Sequence, residues 1–237
     1  MPEISAPAVA IRDLQFAWPG QNGFSVAIDA FSVAPGERVL LTAPSGAGKS
    51  TLIALIAGIL VPQKGGIFLD QTDITRLSPS RRDGLRAERI GLIFQSFNLI
   101  SYLTALDNIL LPLSFAPGRL KRAGGWTAAE KTAGAMLEEI GLPFAEIAHK
   151  KAANLSIGQQ QRVAVLRALI GSPPLIIADE PTSALDSDRQ QAFLDMLDDQ
   201  LDRTGSALLM VSHDPGLVAR FDRTVPLAAF VRTGSIQ

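Results

Sequence analysis

The sequence predicts an α/β fold: a parallel sheet core, an antiparallel β flank ahead of it and a helical insertion within it. Three observations lead there. Short apolar runs of strand length alternate with helical patterns, two early segments alternate apolar and polar residues, and a long middle stretch shows no strand pattern.

In chain order, the alternating segments near 8–16 and 24–33 flank "WPGQNG" and read as hairpin strands. "RVLLT" (38–42) is a buried strand, and a helix is expected over 49–60. "IGLIF" (90–94), "LIIAD" (175–179) and "ALLMVS" (207–212) are further buried strands, with helices expected over 187–203 and 214–220. Between Gln95 and Leu175, Thr127 with Glu130 forms a capping-box pattern ahead of a helix to about Ile140. The expectation is one domain over 1–237 with a mostly helical subdomain over about 96–172. Ser156 and Gln159 form a second capping-box pattern, with Leu155 placed as a hydrophobic staple.

A chain of 237 residues with 47% hydrophobic content can bury a full core. The formal net charge of −1 supplies no global basic field, which argues against a nucleic-acid partner. Arg119, Lys121 and Arg122 form a local basic cluster, expected to be a solvated loop. With no cysteine there is no disulfide frame or thiolate chemistry. The longest apolar run, "LIALIAGILV" (52–61), is too short to span a bilayer, and the N-terminus does not resemble a signal peptide. A soluble, cytosolic chain is expected.

The strongest chemical signal is "APSGAGKS" (43–50), between a strand and a helical run. A glycine-rich turn there points consecutive backbone N–H groups at phosphate oxygens, and the helix N-terminus adds partial positive charge. Ser45, Gly46, Ala47 and Gly48 would cradle the phosphates. Lys49 would reach the β and γ phosphates, Ser50 would ligate Mg²⁺ and Thr51 would touch the α phosphate. Ala43 replaces the motif's first glycine; a negative φ there costs little, whereas a positive φ would cost roughly 1–2 kcal/mol.

"LIIADE" (175–180) delivers Asp179 to the carboxyl edge of the sheet, as a second Mg²⁺ contact. Glu180 would orient or deprotonate an attacking water. Gln95 follows "IGLIF" and His213 follows the strand 207–212, and both would sit on the same sheet edge as Lys49 and Asp179. Each alone would be an ordinary turn residue; their convergence with Lys49 and Asp179 favours a site.

The order of these motifs resembles the ATP-binding cassette ATPases of ABC transporters, which have a P-loop NTPase core with a RecA-like parallel sheet. "APSGAGKS" is similar to the Walker A loop, Gln95 to the Q-loop glutamine, "LSIGQQQR" (155–162) to the signature motif, "LIIADE" to Walker B, "SALD" (183–186) to the D-loop and His213 to the switch histidine. The resemblance covers about residues 8–222. "IFQSFNLISYLTALDNI" (93–109) is similar to the branch serving lipoprotein release, macrolide export and related exporters.

The resemblance implies two ATPase subunits packed head to tail, as a homodimer, with ATP and Mg²⁺ between them. Ser156, Gly158 and Gln159 of one copy would meet the γ phosphate held by Lys49 of the other, with Asp186 at the seam. It also implies catalytic roles for Glu180, His213 and Gln95, and a Mg²⁺ site of Ser50, Gln95 and Asp179. Trp18 stands where the family carries an adenine-stacking aromatic, or packs on the sheet as a hairpin aromatic. Transmembrane permease subunits would be the partners, and the chain would sit on the cytoplasmic face of the inner (plasma) membrane. Its function would be ATP hydrolysis that powers export or membrane extraction; the alternative is an ATP-gated clamp that signals to a membrane complex without transport. Cassettes acting on ribosomes or DNA usually carry two cassettes, a linker or a coiled-coil insertion, which this sequence lacks.

Two departures stand out. The family usually has glycine at Ile157, and a β-branched side chain there either points away or crowds the phosphate. The tail "TVPLAAFVRTGSIQ" lacks the branch's acidic-glycine turn, leaving it core, dimer contact or frayed end.

Overall fold

The computed structural model describes residues 6–18, 24–43, 47–183 and 185–233. Chain order begins β1 (Val9–Ala17), β2 (Phe24–Val33), β3 (Arg38–Thr42), α1 (Lys49–Ile56), β4 (Lys64–Leu69), β5 (Thr72–Asp73), α2 (Pro79–Arg89) and β6 (Ile90–Ile93). It continues through α3 (Ala105–Leu110), α4 (Pro117–Arg122), α5 (Trp126–Glu139), α6 (Phe144–Ile147) and α7 (Ile157–Leu169). The remaining elements are β7 (Leu175–Asp179), α8 (Ser187–Thr204), β8 (Ala207–Ser212), β9 (Arg223–Pro226) and β10 (Val231–Thr233). They fall into two compact units, one drawn from Met1–Arg86 with Ala207–Gln237 and the other from Ala87–Ser206.

In the first unit an antiparallel sheet runs in the order β10-β2-β1-β4-β5. The period-2 pattern holds over Leu14, Phe16, Val26 and Ile28, which are buried with Leu14 opposite Ile28, but breaks at Asp13, where φ 49° interrupts β1 after three consecutive buried residues, Val9, Ala10 and Ile11. The apolar runs of β3 and β8 pair in parallel, with β9 on the other side of β3. Every residue of β8 is buried, as befits a strand covered on both faces.

The tail is core. β9 pairs with β3, Leu227 is fully buried, Phe230 meets Phe31 edge-on at 5.5 Å, and β10 pairs with β2. Helix α1 is shorter than the expected 49–60, because Gly58 turns left-handed at φ 67° just past its end. The expected helix 214–220 is a 3₁₀ segment, Pro215–Arg220, whose start is capped by Asp214 and held by Pro215.

In the second unit β6 and β7 pair in parallel, Ile93 opposite Ala178, one residue short of the expected strand end. Helix α7 packs closely on β6 because Gly91 has no side chain: a Cβ there would lie 2.2 Å from the Ala168 carbonyl oxygen. Between these strands the regular elements among the described residues are helices, joined by turns, apart from an isolated bridge between Thr104 and Lys151. The parallel strands, antiparallel sheet and helices are the α/β class that the sequence predicts.

Three local expectations are corrected. The Arg119 cluster is no solvated loop: it lies on α4, where Arg119 is 1% exposed and donates to the carbonyls of Ile170, Ala168, Ala87 and Ile90. Burial, together with Arg122, lowers its pKa to about 10, against the pull of Glu88, so it stays charged at neutral pH. Helix α5 begins after Gly125, so Thr127 sits within the first turn and makes no cap. The third concerns the staple: its partner position ahead on α7 is the polar Gln160, which donates to the Leu155 carbonyl at 3.0 Å, while Leu155 itself is buried. No helix among the described residues is long and apolar enough to cross a membrane.

Candidate functional site

The glycine-rich segment of the first unit starts where β3 ends. Ala43 is buried and outside the positive-φ region, so its Cβ costs little, and its N–H donates to the Ser212 carbonyl at 3.3 Å. Ser45 and Gly46 lie outside the described residues. Gly48 precedes α1 in the left-handed region at φ 93°, a conformation that explains glycine at this point of the motif.

Helix α1 begins without a side-chain cap on Gly48 and without an acidic residue in its first turn. Its first N–H groups therefore keep their positive field for an anion. Lys49 Nζ donates to the Ala43 carbonyl at 3.4 Å. Ser50 is exposed, and Thr51 Oγ1 accepts from Trp18 Nε1 at 3.4 Å. Trp18, 38% exposed, also meets Phe16 edge-on at 5.4 Å, so it packs on the sheet and yet presents surface beside α1. Because Thr42 pairs with Ser212, His213 leaves β8 at the edge where Ala43 starts the loop; it is exposed, and Asp214 behind it is tied to Ser212 Oγ at 3.1 Å.

The second unit carries the other candidates. The parallel register of β6 with β7 sends Gln95 and Glu180 out of the same carboxyl edge. Gln95 is exposed, Asp179 half-buried and Glu180 9% exposed. Glu180 has φ 44°, a left-handed geometry that a non-glycine residue adopts only at a cost of about 1–3 kcal/mol and that clusters at functional sites.

The capping box of α7 is made as the sequence predicts. Ser156 Oγ accepts from the Gln159 N–H at 3.3 Å, and the Ser156 N–H donates to Gln159 Oε1 at 2.9 Å. The cap uses a lone pair of Ser156, which leaves its O–H as a donor for an external anion. Among the described residues nothing lies within 4 Å of where a Cβ on Gly158 would stand, so the helix start is open to approach. Ile157 is 68% exposed and points away from the fold. A cavity of about 810 Å³, lined in part by Ser156, Ile157, Gly158, Phe193 and Met196, opens beside it.

Gln161, a residue the motif pattern did not single out, donates to the Pro181 carbonyl at 2.9 Å and ties α7 to the turn after Glu180. Asp186 caps α8 by accepting from the Arg189 backbone N–H at 2.9 Å, and its other oxygen makes an exposed ion pair with the Arg189 guanidinium. The first unit thus carries Trp18, Lys49, Ser50, Thr51 and His213, and the second Gln95, Asp179, Glu180, Ser156, Gly158, Gln159 and Asp186.

Among the described residues no cluster of three or more His, Asp or Glu side chains forms a metal cage. The first unit offers the Ser50 hydroxyl, and the second the Gln95 carboxamide and the Asp179 and Glu180 carboxylates. That set fits Mg²⁺ brought in on phosphates, which keeps few protein ligands.

A family model described as "ABC transporter" matches residues 28–183. An uncharacterized ABC transporter ATP-binding protein of Mycobacterium tuberculosis is 41% identical over 197 residues, 83% of this chain and 76% of the relative. The lipoprotein-releasing system ATP-binding protein LolD of Syntrophotalea carbinolica is 39% identical over 193 residues, 81% and 82% of the two chains. Among solved structures, the dimeric post-hydrolysis state of the ATP-binding cassette MJ0796 bound to ADP and Pi superposes with a TM-score of 0.72 at 31% identity, covering 92% of this chain and 93% of that one.

Proposed function

The chain belongs to the ABC transporter ATP-binding family and is an ATPase of that family, and on that premise we propose that it works as a head-to-tail homodimer that drives separate transmembrane permease subunits in export or membrane extraction. In this scheme Lys49, the loop Ser45–Gly48 and the α1 N-terminus bind the β and γ phosphates, and Thr51 the α phosphate. Ser50, Gln95 and Asp179 would hold Mg²⁺, which would supply positive charge to the phosphates. Trp18 stacks the adenine. Ser156, Gly158 and Gln159 of the second copy close the site on the γ phosphate, with Asp186 at the seam.

Glu180 takes a proton from a water that attacks the γ phosphorus. The bond from that phosphorus to the bridging oxygen breaks, leaving ADP and phosphate. His213 supports the geometry of attack. Gln95 and the helices after it relay closure to the permease at the cytoplasmic face of the inner membrane.

One observation supports the reading above the others: the signature serine caps α7 with a lone pair and keeps its proton, at a helix start with open space around Gly158. A helix start so arranged is an anion site. The test is ATP-driven transport in vesicles holding the cognate permease. Substrate movement that stops with Lys49→Ala supports a pump; ATP-dependent complex formation without movement would show the clamp instead.

A further inference from the structure

We propose that Arg167, inside helix α7, is a positioning residue for Gln95: its guanidinium grips the backbone just beyond Gln95 and couples that glutamine to the helix that begins at Ser156. The proposal rests on the role given to Gln95 above. Arg167 Nη2 donates to the Phe97 carbonyl and Nη1 to the Asn98 carbonyl, both at 2.6 Å. Those carbonyls belong to two consecutive non-glycine residues in the left-handed region, φ 60° and 46°. Such a pair persists only where its surroundings hold it.

The turn is tight. The Phe97 N–H donates to the Phe94 carbonyl at 3.0 Å, which places exposed Gln95 and Ser96 inside the loop, and the Asn98 N–H donates to the Ser96 carbonyl at 2.7 Å. Beyond it, fully buried Asn108 fixes the chain from both sides: Oδ1 accepts from the Ile100 N–H at 2.8 Å and Nδ2 donates to the Ile100 carbonyl at 3.1 Å. Gln95 therefore sits between the end of β6 and a backbone whose grip comes from α7.

Burial lowers the pKa of Arg167, and among the described residues no carboxylate pairs with it. A desolvated cation without a counter-ion is costly; what it offers is a planar fork that fits two neighbouring carbonyls, which a lysine cannot match.

The test is a double-mutant cycle on ATP turnover by the full chain, with Gln95→Ala, Arg167→Met and the pair, each checked by thermal unfolding. Arg167→Met is expected to lower kcat about tenfold with KM for ATP within about twofold, as a displaced contact group does. The double variant should be no slower than Gln95→Ala alone. Arg167→Lys, which keeps charge and stem, should fall between and serves if the methionine variant fails to fold. Losses that multiply in the double variant, or parental turnover in Arg167→Met and Arg167→Lys beside a slow Gln95→Ala, would overturn the coupling. Parental turnover in Gln95→Ala would instead remove the role of Gln95, and the proposal with it.

Discussion

Ser156 has two roles in this account, and substitution separates them. Ser156→Ala removes the acceptor for the Gln159 N–H, a contact of 3.3 Å at an exposed helix start, but the return bond from the Ser156 N–H to Gln159 Oε1 uses backbone and survives. The loss should therefore be about 1 kcal/mol, within the usual range for a cap. For a chain of 237 residues that lowers the thermal midpoint by roughly 2–4 °C. A protein stable by about 5–15 kcal/mol stays folded through such a change. Turnover should fall far more, about 100-fold or roughly 2.7 kcal/mol, because a donor to the γ phosphate is gone.

Ser156→Asn completes the test, since asparagine caps as well as serine but places a bulkier carboxamide at the phosphate. Calorimetry should show stability restored to within about 0.5 kcal/mol of the parent, while steady-state phosphate release stays low. If Ser156→Asn regains parental turnover, or Ser156→Ala never loses it, the serine is a cap and nothing more.

Three further outcomes follow from the same geometry. Arg119→Met leaves four backbone carbonyls without their guanidinium and should cost about 3 kcal/mol, seen as a midpoint about 6–12 °C lower in calorimetry; an unchanged midpoint would mean that the burial cost of the charge cancels its hydrogen bonds. Glu180→Gly should abolish hydrolysis with little loss in denaturant midpoint, because relief of the left-handed backbone, about 1–2 kcal/mol, offsets the entropy of glycine, roughly 0.5–1 kcal/mol; a loss above about 2 kcal/mol would show that the Glu180 side chain holds the turn together. Ile157→Gly removes an exposed side chain and should leave phosphate release near the parental rate; a tenfold gain would show that Ile157 obstructs the phosphate.

What was legible in the sequence was local. The strands β3, β6, β7 and β8 show as continuous apolar runs, and the Ser156 cap and the Lys49 loop lie within a few residues of their partners. β4 opens with Lys-Gly-Gly and β9 is four residues ending in proline, so neither shows a strand pattern; both exist because the edges of β1 and β3 accept them. Arg119 stands in a basic cluster that looks solvated, and its four carbonyl partners come from residues 87–90 and 168–170. The left-handed turn at Phe97 and Asn98 carries no glycine to announce it, Asn98 being the sole cue, and its holder lies about 70 positions away on α7.

The central claim is that ATP joins two copies of this chain through Ser156 and Gly158. Light scattering on a sizing column, applied to hydrolysis-blocked Glu180→Gln with and without MgATP, tests it most directly. The account predicts a mass near the 25.2 kDa monomer without nucleotide and about twice that with it, and a return to monomer when Ser156→Asn is added. A monomer at saturating MgATP, or a dimer indifferent to nucleotide and to Ser156, would contradict it.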